Sequence, residues 1–216
     1  MLRSLVGSEM CIRDRLKGKE VIGFRPGSNP IVFLETALRK HGLDPQKDVK
    51  LLNNIGIPAR AGAWMAGQGE YGIFLEPEAG ELVRNGKGYI VASVGHEVGQ
   101  VDYTVFTATD KYIRDNPKVI QAWTDVVARA EKYVKDTPAA TLAPQIMTYF
   151  PGMDAAAVTD AIDRYKQYQI WKTSPLVTAD AMNQLQDMLI ASAVMKEGAR
   201  VKYEDVVVAD FARKAP

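Results

Sequence analysis

Residues 20–32 read Glu-Val-Ile-Gly-Phe-Arg-Pro-Gly-Ser-Asn-Pro-Ile-Val, and they carry the strongest fold signal in the chain. The segment begins with a β-branched run, turns through Pro26-Gly27-Ser28, and continues from Asn29-Pro30 with apolar residues every three or four positions. This pattern predicts a strand, a tight loop and a helix. Asn29 is a favourable N-cap, and Pro30 suits the first helical position because its missing N–H would have no partner there.

The same alternation continues toward the C-terminus. The pattern predicts further strands at 49–52, 71–75, 89–94 and 103–108, with helices at 59–66 and 78–84. Strands that alternate with helices predict a largely parallel sheet covered by helices, which is an α/β fold.

After Asp110 the pattern is that of helices alone. Asn116-Pro117 repeats the helix-start signal, and the apolar residues that follow, Trp123 among them, are spaced to form one buried stripe on a long helix. Further helices are predicted at 140–149, 154–169 and 178–198.

Composition limits the classes of function. The 216 residues carry 27 Lys and Arg against 26 Asp and Glu, so a net charge of +1 argues against a nucleic-acid partner. The longest apolar runs are far shorter than the roughly 20 residues that cross a bilayer. One cysteine and two histidines exclude a disulfide framework and leave little for a metal site, so we expect no metal. No cofactor is expected either. His41, near a predicted helix end, is expected to be solvated.

Residues 1–15 differ from the rest. Residues 7–15 resemble the peptide obtained when sequencing-adapter DNA is translated in frame, so residues 1–15 are interpreted as non-native. The alternative is a genuine, poorly ordered terminus. If the segment is non-native, the chain is the C-terminal part of a longer protein.

Two loops are candidate binding sites. Gly27, Ser28 and Asn29 precede a helix, where free N–H groups and the helix dipole favour an anion or a carbonyl oxygen; a plain capped turn is the alternative. Glu76 follows the strand at 71–75, where it would accept hydrogen bonds from a ligand or cap the next helix, and both interpretations stay open. No Ser-His-Asp arrangement is supported, so no catalytic residue is predicted.

The order of motifs resembles one known family. Residues 16–28, 65–69, 72–77, 103–108 and 116–123 together resemble segments of ABC transporter substrate-binding proteins of the nitrate, sulfonate, taurine and thiamine-pyrimidine-precursor class. Each motif is weak alone, and the resemblance rests on their order.

The resemblance implies a type II periplasmic-binding-protein-like fold, a Venus flytrap truncated at its N-terminus. Lobe 2 would be near-complete at 16–103, and 104–216 would be the mostly helical C-terminal part of lobe 1. The solute would bind in the interlobe cleft, and the implied contacts from this chain are Gly27, Ser28, Asn29, Asn54 and Glu76.

By the same resemblance the protein is not an enzyme. It would be a monomer when full length, located in the periplasm or anchored outside the cytoplasmic membrane, although no signal sequence is recognised in this chain. Its partners would be a small-molecule solute and the ABC permease. One alternative is a thiamine-pyrimidine biosynthetic enzyme of the same fold, which uses pyridoxal phosphate and a cysteine-rich segment that is absent after Cys11. Another is the effector-sensing domain of a transcription regulator. The solute itself stays open between an anion and a ligand with amine or hydroxyl donors.

Overall fold

The computed structural model describes residues 15–216. The interpretation of residues 1–15 as non-native, including Cys11, therefore concerns a segment that lies almost wholly outside the described residues. The described chain divides into two compact units. Unit 1 comprises residues 15–98 and 188–195, and unit 2 comprises residues 99–187 and 196–216.

Unit 1 contains a small parallel sheet. Its strands are β1 (Glu20–Ile22), β2 (Lys50–Leu52) and β3 (Tyr71–Gly72), in the order β2-β1-β3. Both neighbours pair with β1 in parallel, as the alternating pattern predicts. β3 is shorter than the predicted strand at 71–75, although the Ile73 N–H still donates to the Ile22 carbonyl at 2.9 Å.

Four helices lie wholly within the described part of unit 1. They are α1 (Asn29–Lys40), α2 (Arg60–Met65), α3 (Glu78–Arg84) and α4 (Val94–Val98), and a 3-10 turn at Ile57–Ala59 precedes α2. The N-cap of α1 is Ser28, one residue before the predicted Asn29, and Pro30 occupies the first turn as expected. The buried core of the unit comes from β1, the inner face of α1 and the segment after it: Val21, Phe24, Ile31, Leu34, Leu38, Leu43 and Val49.

The C-terminal end of α1 is tied to α4. The buried His41 ring places Nε2 2.8 Å from Glu97 Oε2, and Lys40 Nζ donates to the Glu97 carbonyl at 2.9 Å. The prediction that His41 is solvated was therefore wrong. The prediction treated His41 as a solvated partner of the helix dipole, whereas its partner is Glu97 on the packed helix α4.

Two predicted strands are not formed. Residues 89–93 are irregular and Val94 begins α4, while 103–108 is irregular as well. Tyr89 is 92% exposed, and Val105 and Phe106 are also exposed. Strand propensity reflects packing on a half-buried, paired surface, and the described part of the chain places no strand beside either segment.

Unit 2 is helical throughout its described elements. Its longer helices are α6 (Pro117–Asp136), α7 (Ala139–Ile146), α8 (Ala155–Gln167) and α9 (Ala179–Ala191), with short helices α5 (Asp110–Asp115), α10 (Tyr203–Val206) and α11 (Asp210–Lys214) and 3-10 turns at Met147–Tyr149 and Glu197–Ala199. From residue 188 onward, α9 belongs to unit 1. The core of unit 2 lies between α7 and α8, where the buried residues are Ala139, Leu142, Ala143, Val158 and Ile162.

The apolar stripe of α6 is not buried. Ala128 is the buried residue of this 20-residue helix, and Trp123 is 51% exposed, with its ring edge-to-face to Phe106 at 5.1 Å. The helix itself was predicted correctly, but the prediction that Trp123 lies in a core was wrong. A 3.6-residue pattern gives the face that an element can bury, whereas burial also requires a packed neighbour along that face.

Candidate functional site

The three strands of unit 1 end at one edge of the sheet. β1 leads into Phe24 and the Pro26-Gly27-Ser28 turn, β2 leads into Asn53, and β3 leads into Phe74. Because the strands are parallel, these segments all leave the sheet at its carboxyl edge. This is the edge at which open α/β sheets bind ligands.

The turn before α1 leaves the start of that helix uncapped. Gly27 has φ +77°, a left-handed conformation that favours glycine, and the Ser28 Oγ donates to the Arg25 carbonyl at 2.8 Å. The hydroxyl therefore closes the turn, and no described side chain caps the first turn of α1. With Pro30 lacking an N–H, the N–H groups of Asn29 and Ile31 and the positive end of the helix dipole are left for solvent or a ligand.

A recess of about 220 Å³ lies beside this helix start, within unit 1. Gly27, Glu35, Asn53 and Ser192 are among its lining residues. The buried Glu35 accepts from Arg39 Nη2 at 3.2 Å, and Arg39 Nη1 donates to Ser192 Oγ at 3.0 Å. The arginine thus connects α1 to the segment after α9 and fixes one polar wall of the recess.

Asn53 provides a second polar wall. Its Oδ1 is buried and has no hydrogen-bond partner among the described residues. The side chain packs so closely against Gly23 that a Cβ on Gly23 would lie 2.0 Å from Asn53 Oδ1. An unpaired buried acceptor is costly, so this oxygen is available to accept from a water or a ligand donor.

Arg60, the first residue of α2, is 1% exposed. Its Nη1 donates to the Gly23 carbonyl at 2.7 Å, and its guanidinium carbon lies 3.6 Å from the Phe24 ring centroid and 5.3 Å from that of Phe74. Its Nε and Nη2 have no partner among the described residues. Burial lowers the pKa of Arg60, and the charge of Glu78 opposes that shift. Burial also raises the pKa of Glu78.

The predicted contacts fall into two groups. Gly27, Ser28 and Asn29 lie together in the turn, and Gly27 lines the recess. Asn54 is exposed at the end of β2, and Glu76 Oε2 accepts from the Gly80 N–H at 3.0 Å, so Glu76 supports the start of α3. Neither Asn54 nor Glu76 lines the recess. Their contact with a solute stays a prediction.

No motif or spacing in the sequence selects Asn53 or Arg60 as a contact. Asn54, not Asn53, is the contact that the family resemblance implies at the end of β2. Arg60 has the sequence appearance of a surface charge at a helix start. The signal that could have found it is position, since α2 begins at the sheet edge directly after β2.

Two features of the described residues bear on other classes of site. Among residues 15–216, no cluster of three or more His, Cys, Asp or Glu side chains is arranged to hold a metal ion. In that same part of the chain, no helix combines the length and apolar character needed to cross a membrane.

Comparison with known proteins gives two matches. A family model described as the NMT1-like family matches residues 12–148, which include all three strands and the turn before α1. The protein named "Putative binding protein YtlA" from Bacillus subtilis (strain 168) is 32% identical over 201 residues, covering 93% of this chain and 60% of that protein. The chain therefore spans about 60% of the length of this curated relative. Both matches agree with the family resemblance, while the subfamily stays a prediction.

Proposed function

The chain belongs to the NMT1-like family, and from this premise we propose that it is the solute-binding part of an extracytoplasmic binding protein that serves an ABC importer. The relative from B. subtilis is itself named as a binding protein, which supports a binding role rather than a catalytic one. The permease partner and the location outside the cytoplasm are part of this proposal.

The carboxyl edge of the unit 1 sheet is the proposed solute contact surface. The observation that carries the proposal is the recess of about 220 Å³ beside the uncapped start of α1, lined by Gly27 and by Asn53, whose buried Oδ1 lacks a partner among the described residues. Backbone N–H groups, a helix dipole and an unpaired acceptor together offer the mixed polar contacts that orient a small ligand. We propose solute contacts from the residues predicted earlier, with Asn53 added: Gly27, Ser28, Asn29, Asn53, Asn54 and Glu76.

The proposed whole protein is two-lobed, of the type II periplasmic-binding class. Two compact units in the described chain support this, and unit 1 would be the major part of lobe 2. The proposal has a second element, which is that the remainder of lobe 1 corresponds to the region of the relative that this chain does not match. The exposed apolar face of α6 supports it. An exposed face of this kind marks a surface that another element covers.

The solute would act by shifting an equilibrium. In a two-lobed protein, the solute favours the closed form only to the extent that it binds that form more tightly. The uncapped helix start favours an anionic group, whereas Glu35 and Asn53 favour hydrogen-bond donors on the solute. A solute screen distinguishes among sulfonates, taurine, nitrate and pyrimidine thiamine precursors.

The test is a solute screen with the intact protein, including the region upstream of residue 16. Thermal unfolding is measured with sulfonates, taurine, nitrate and aminopyrimidines, because a solute at 100 times its Kd stabilises the folded state by about 2.7 kcal/mol. Any hit is then titrated by calorimetry against Asn53→Ala and against Asn85→Ala, whose side chain is exposed in the same unit.

We expect Asn53→Ala to weaken binding about tenfold, which corresponds to one lost hydrogen bond, and Asn85→Ala to bind like the wild type. Failure of the whole panel to stabilise the intact protein would contradict the proposed function. Equal affinities of the two variants would contradict the placement of the solute in the recess.

A further inference from the structure

Arg60 carries an unused pair of donors. The Arg60 guanidinium has five N–H groups. One of them, on Nη1, donates to the Gly23 carbonyl at 2.7 Å. The atoms left without a partner among the described residues are Nε and Nη2. These two nitrogens lie on the same edge of the planar guanidinium, so their N–H groups are parallel and match the two oxygens of one carboxylate.

The surroundings of Arg60 are unusual for a buried cation. Buried arginines are normally paired with a carboxylate, because a desolvated charge without a counter-ion is costly. Here the side chain is 1% exposed, and two aromatic rings, Phe24 and Phe74, lie against the guanidinium in place of an ion-pair partner from residues 15–216. Cation–π contact offsets part of the lost hydration but leaves both N–H groups unsatisfied.

A second unsatisfied group lies at the same strand end. Arg60 Nη1 contacts the Gly23 carbonyl, and the buried Asn53 Oδ1 packs against the Gly23 Cα position. Arg60 therefore offers donors to an anion and Asn53 offers an acceptor. Both side chains lie against Gly23, the residue that directly follows β1. Phe24 is buried and Phe74 is half-buried, so Phe74 is the ring that must move for a ligand to reach the buried Nε and Nη2 of Arg60.

We propose that the Nε–Nη2 fork of Arg60 binds a carboxylate group of the solute, and that Asn53 Oδ1 accepts from a hydroxyl or amino group beside that carboxylate. The solute class is thus a small hydroxy- or amino-carboxylic acid. This inference rests on the solute-binding function proposed above. The uncapped start of α1 at the same sheet edge adds a favourable potential for the negative charge.

The first test uses this chain and reads the arginine directly. Side-chain Nε–H resonances are recorded by NMR while glycolate is added, with glycolamide as the neutral control of similar shape and sodium chloride as the control for ionic strength. We expect glycolate to move the Arg60 Nε–H signal saturably with roughly millimolar affinity, and both controls to leave it unchanged. Absence of a saturable glycolate shift, or an equal shift with glycolamide, overturns the proposal.

Two variants sharpen the result. Arg60→Lys keeps the charge but lacks the planar fork, so we expect it to bind glycolate at least tenfold more weakly. Because this substitution also removes the bond to the Gly23 carbonyl, the wild-type titration decides alone if the variant does not fold. Glu78→Gln tests an internal partner, since the Glu78 charge acts on Arg60. A glycolate response seen only in Glu78→Gln assigns the fork to Glu78 and overturns the proposal.

The solute screen separates this inference from the proposed function. Tight binding of a solute without a carboxylate, with no change at Arg60, overturns the inference and leaves the solute-binding function in place. A saturable glycolate response at Arg60 in a protein that no solute stabilises supports the carboxylate site and contradicts the transport role.

Discussion

Gly23 is the position where the candidate site depends most directly on the absence of a side chain. A Cβ at Gly23 would lie 2.0 Å from Asn53 Oδ1 and 3.0 Å from Ile31 Cδ1. Gly23→Ala therefore forces Asn53 to rotate away and presses on α1. Inserting a methyl group into a packed site costs about 1–3 kcal/mol, and the loss of unfolded-state freedom returns about 0.4–1 kcal/mol. We expect a net loss of about 1 kcal/mol in the free energy of unfolding.

The matched control is Gly62→Ala. Gly62 lies inside α2 of the same unit, and a Cβ there would meet nothing within 4 Å. Alanine favours a helix interior over glycine by about 0.5–1 kcal/mol, so this variant should be more stable than the wild type. The two glycine-to-alanine changes are thus expected to shift stability in opposite directions, and their difference is about 1.5–2 kcal/mol.

Both variants are compared by urea unfolding in a Trp123→Phe, Trp171→Phe background. Trp64 is then the remaining tryptophan and reports on unit 1, where its Nε1 donates to the Lys87 carbonyl at 2.8 Å. A Gly23→Ala midpoint at or above that of the background protein, at unchanged m-value, would refute the close packing of Asn53 on Gly23. It would also remove the structural basis for placing Asn53 in the recess.

Three further predictions concern unit 2 and are read from unfolding curves followed by Trp171 fluorescence in a Trp64→Phe, Trp123→Phe background. Leu142→Ala, in the α7–α8 core, should cost about 2–4 kcal/mol, and a cost below that of a surface mutation would mean that this core is not formed. Lys172→Met leaves the 9%-exposed Asp102 carboxylate without the ammonium that lies 2.5 Å away, so we expect the free energy of unfolding to fall by about 2–4 kcal/mol. The control Lys111→Met breaks an exposed pair and should cost under about 0.5 kcal/mol. Equal losses in the two variants would contradict the difference in burial. Burial raises the pKa of Glu131, so its ionisation opposes folding as the pH rises. Glu131→Gln should therefore stabilise the protein at neutral pH and lose that advantage below the ordinary carboxyl pKa. A stability difference between variant and wild type that does not change with pH would refute this reasoning.

Local signals were sufficient for most of unit 1. A turn residue with positive φ, a proline in the first helical turn and a three- or four-residue apolar spacing are all local, and they predicted α1 closely. The predicted α3 agrees with Glu78–Arg84 residue for residue. The parallel arrangement of β1, β2 and β3 also follows from strands that alternate with helices.

Prediction failed where structure depends on a neighbour. The segments at 89–94 and 103–108 have the composition of strands, but a strand forms only when another strand pairs with it. Trp123 has the spacing of a core residue, yet it is half exposed, since periodicity does not supply the surface that would cover α6. Helix α9 also ends at Ala191, earlier than predicted, and Ala193 takes a positive φ of 54° just beyond it.

The candidate site divides in the same way. The turn at Gly27 and Ser28 was predictable because a glycine and a helix start are visible in the sequence. Asn53 and Arg60 were not, because their importance lies in what they fail to bond with inside the fold. An unsatisfied buried atom is a property of three-dimensional packing and leaves no spacing or composition signal.

The discontinuity of unit 1 constrains when that unit is completed during synthesis. Residues 188–195 belong to it, although they follow almost ninety residues of unit 2. As a ribosome releases the chain, the sheet and α1 emerge early, but Arg39 gains its Ser192 partner only after all of 99–187 has been made. The polar wall of the recess that Ser192 provides is thus absent from every nascent chain shorter than this. The recess is therefore complete only after residues 99–187 of unit 2 have been synthesised, so it is among the last parts of the described chain to be finished.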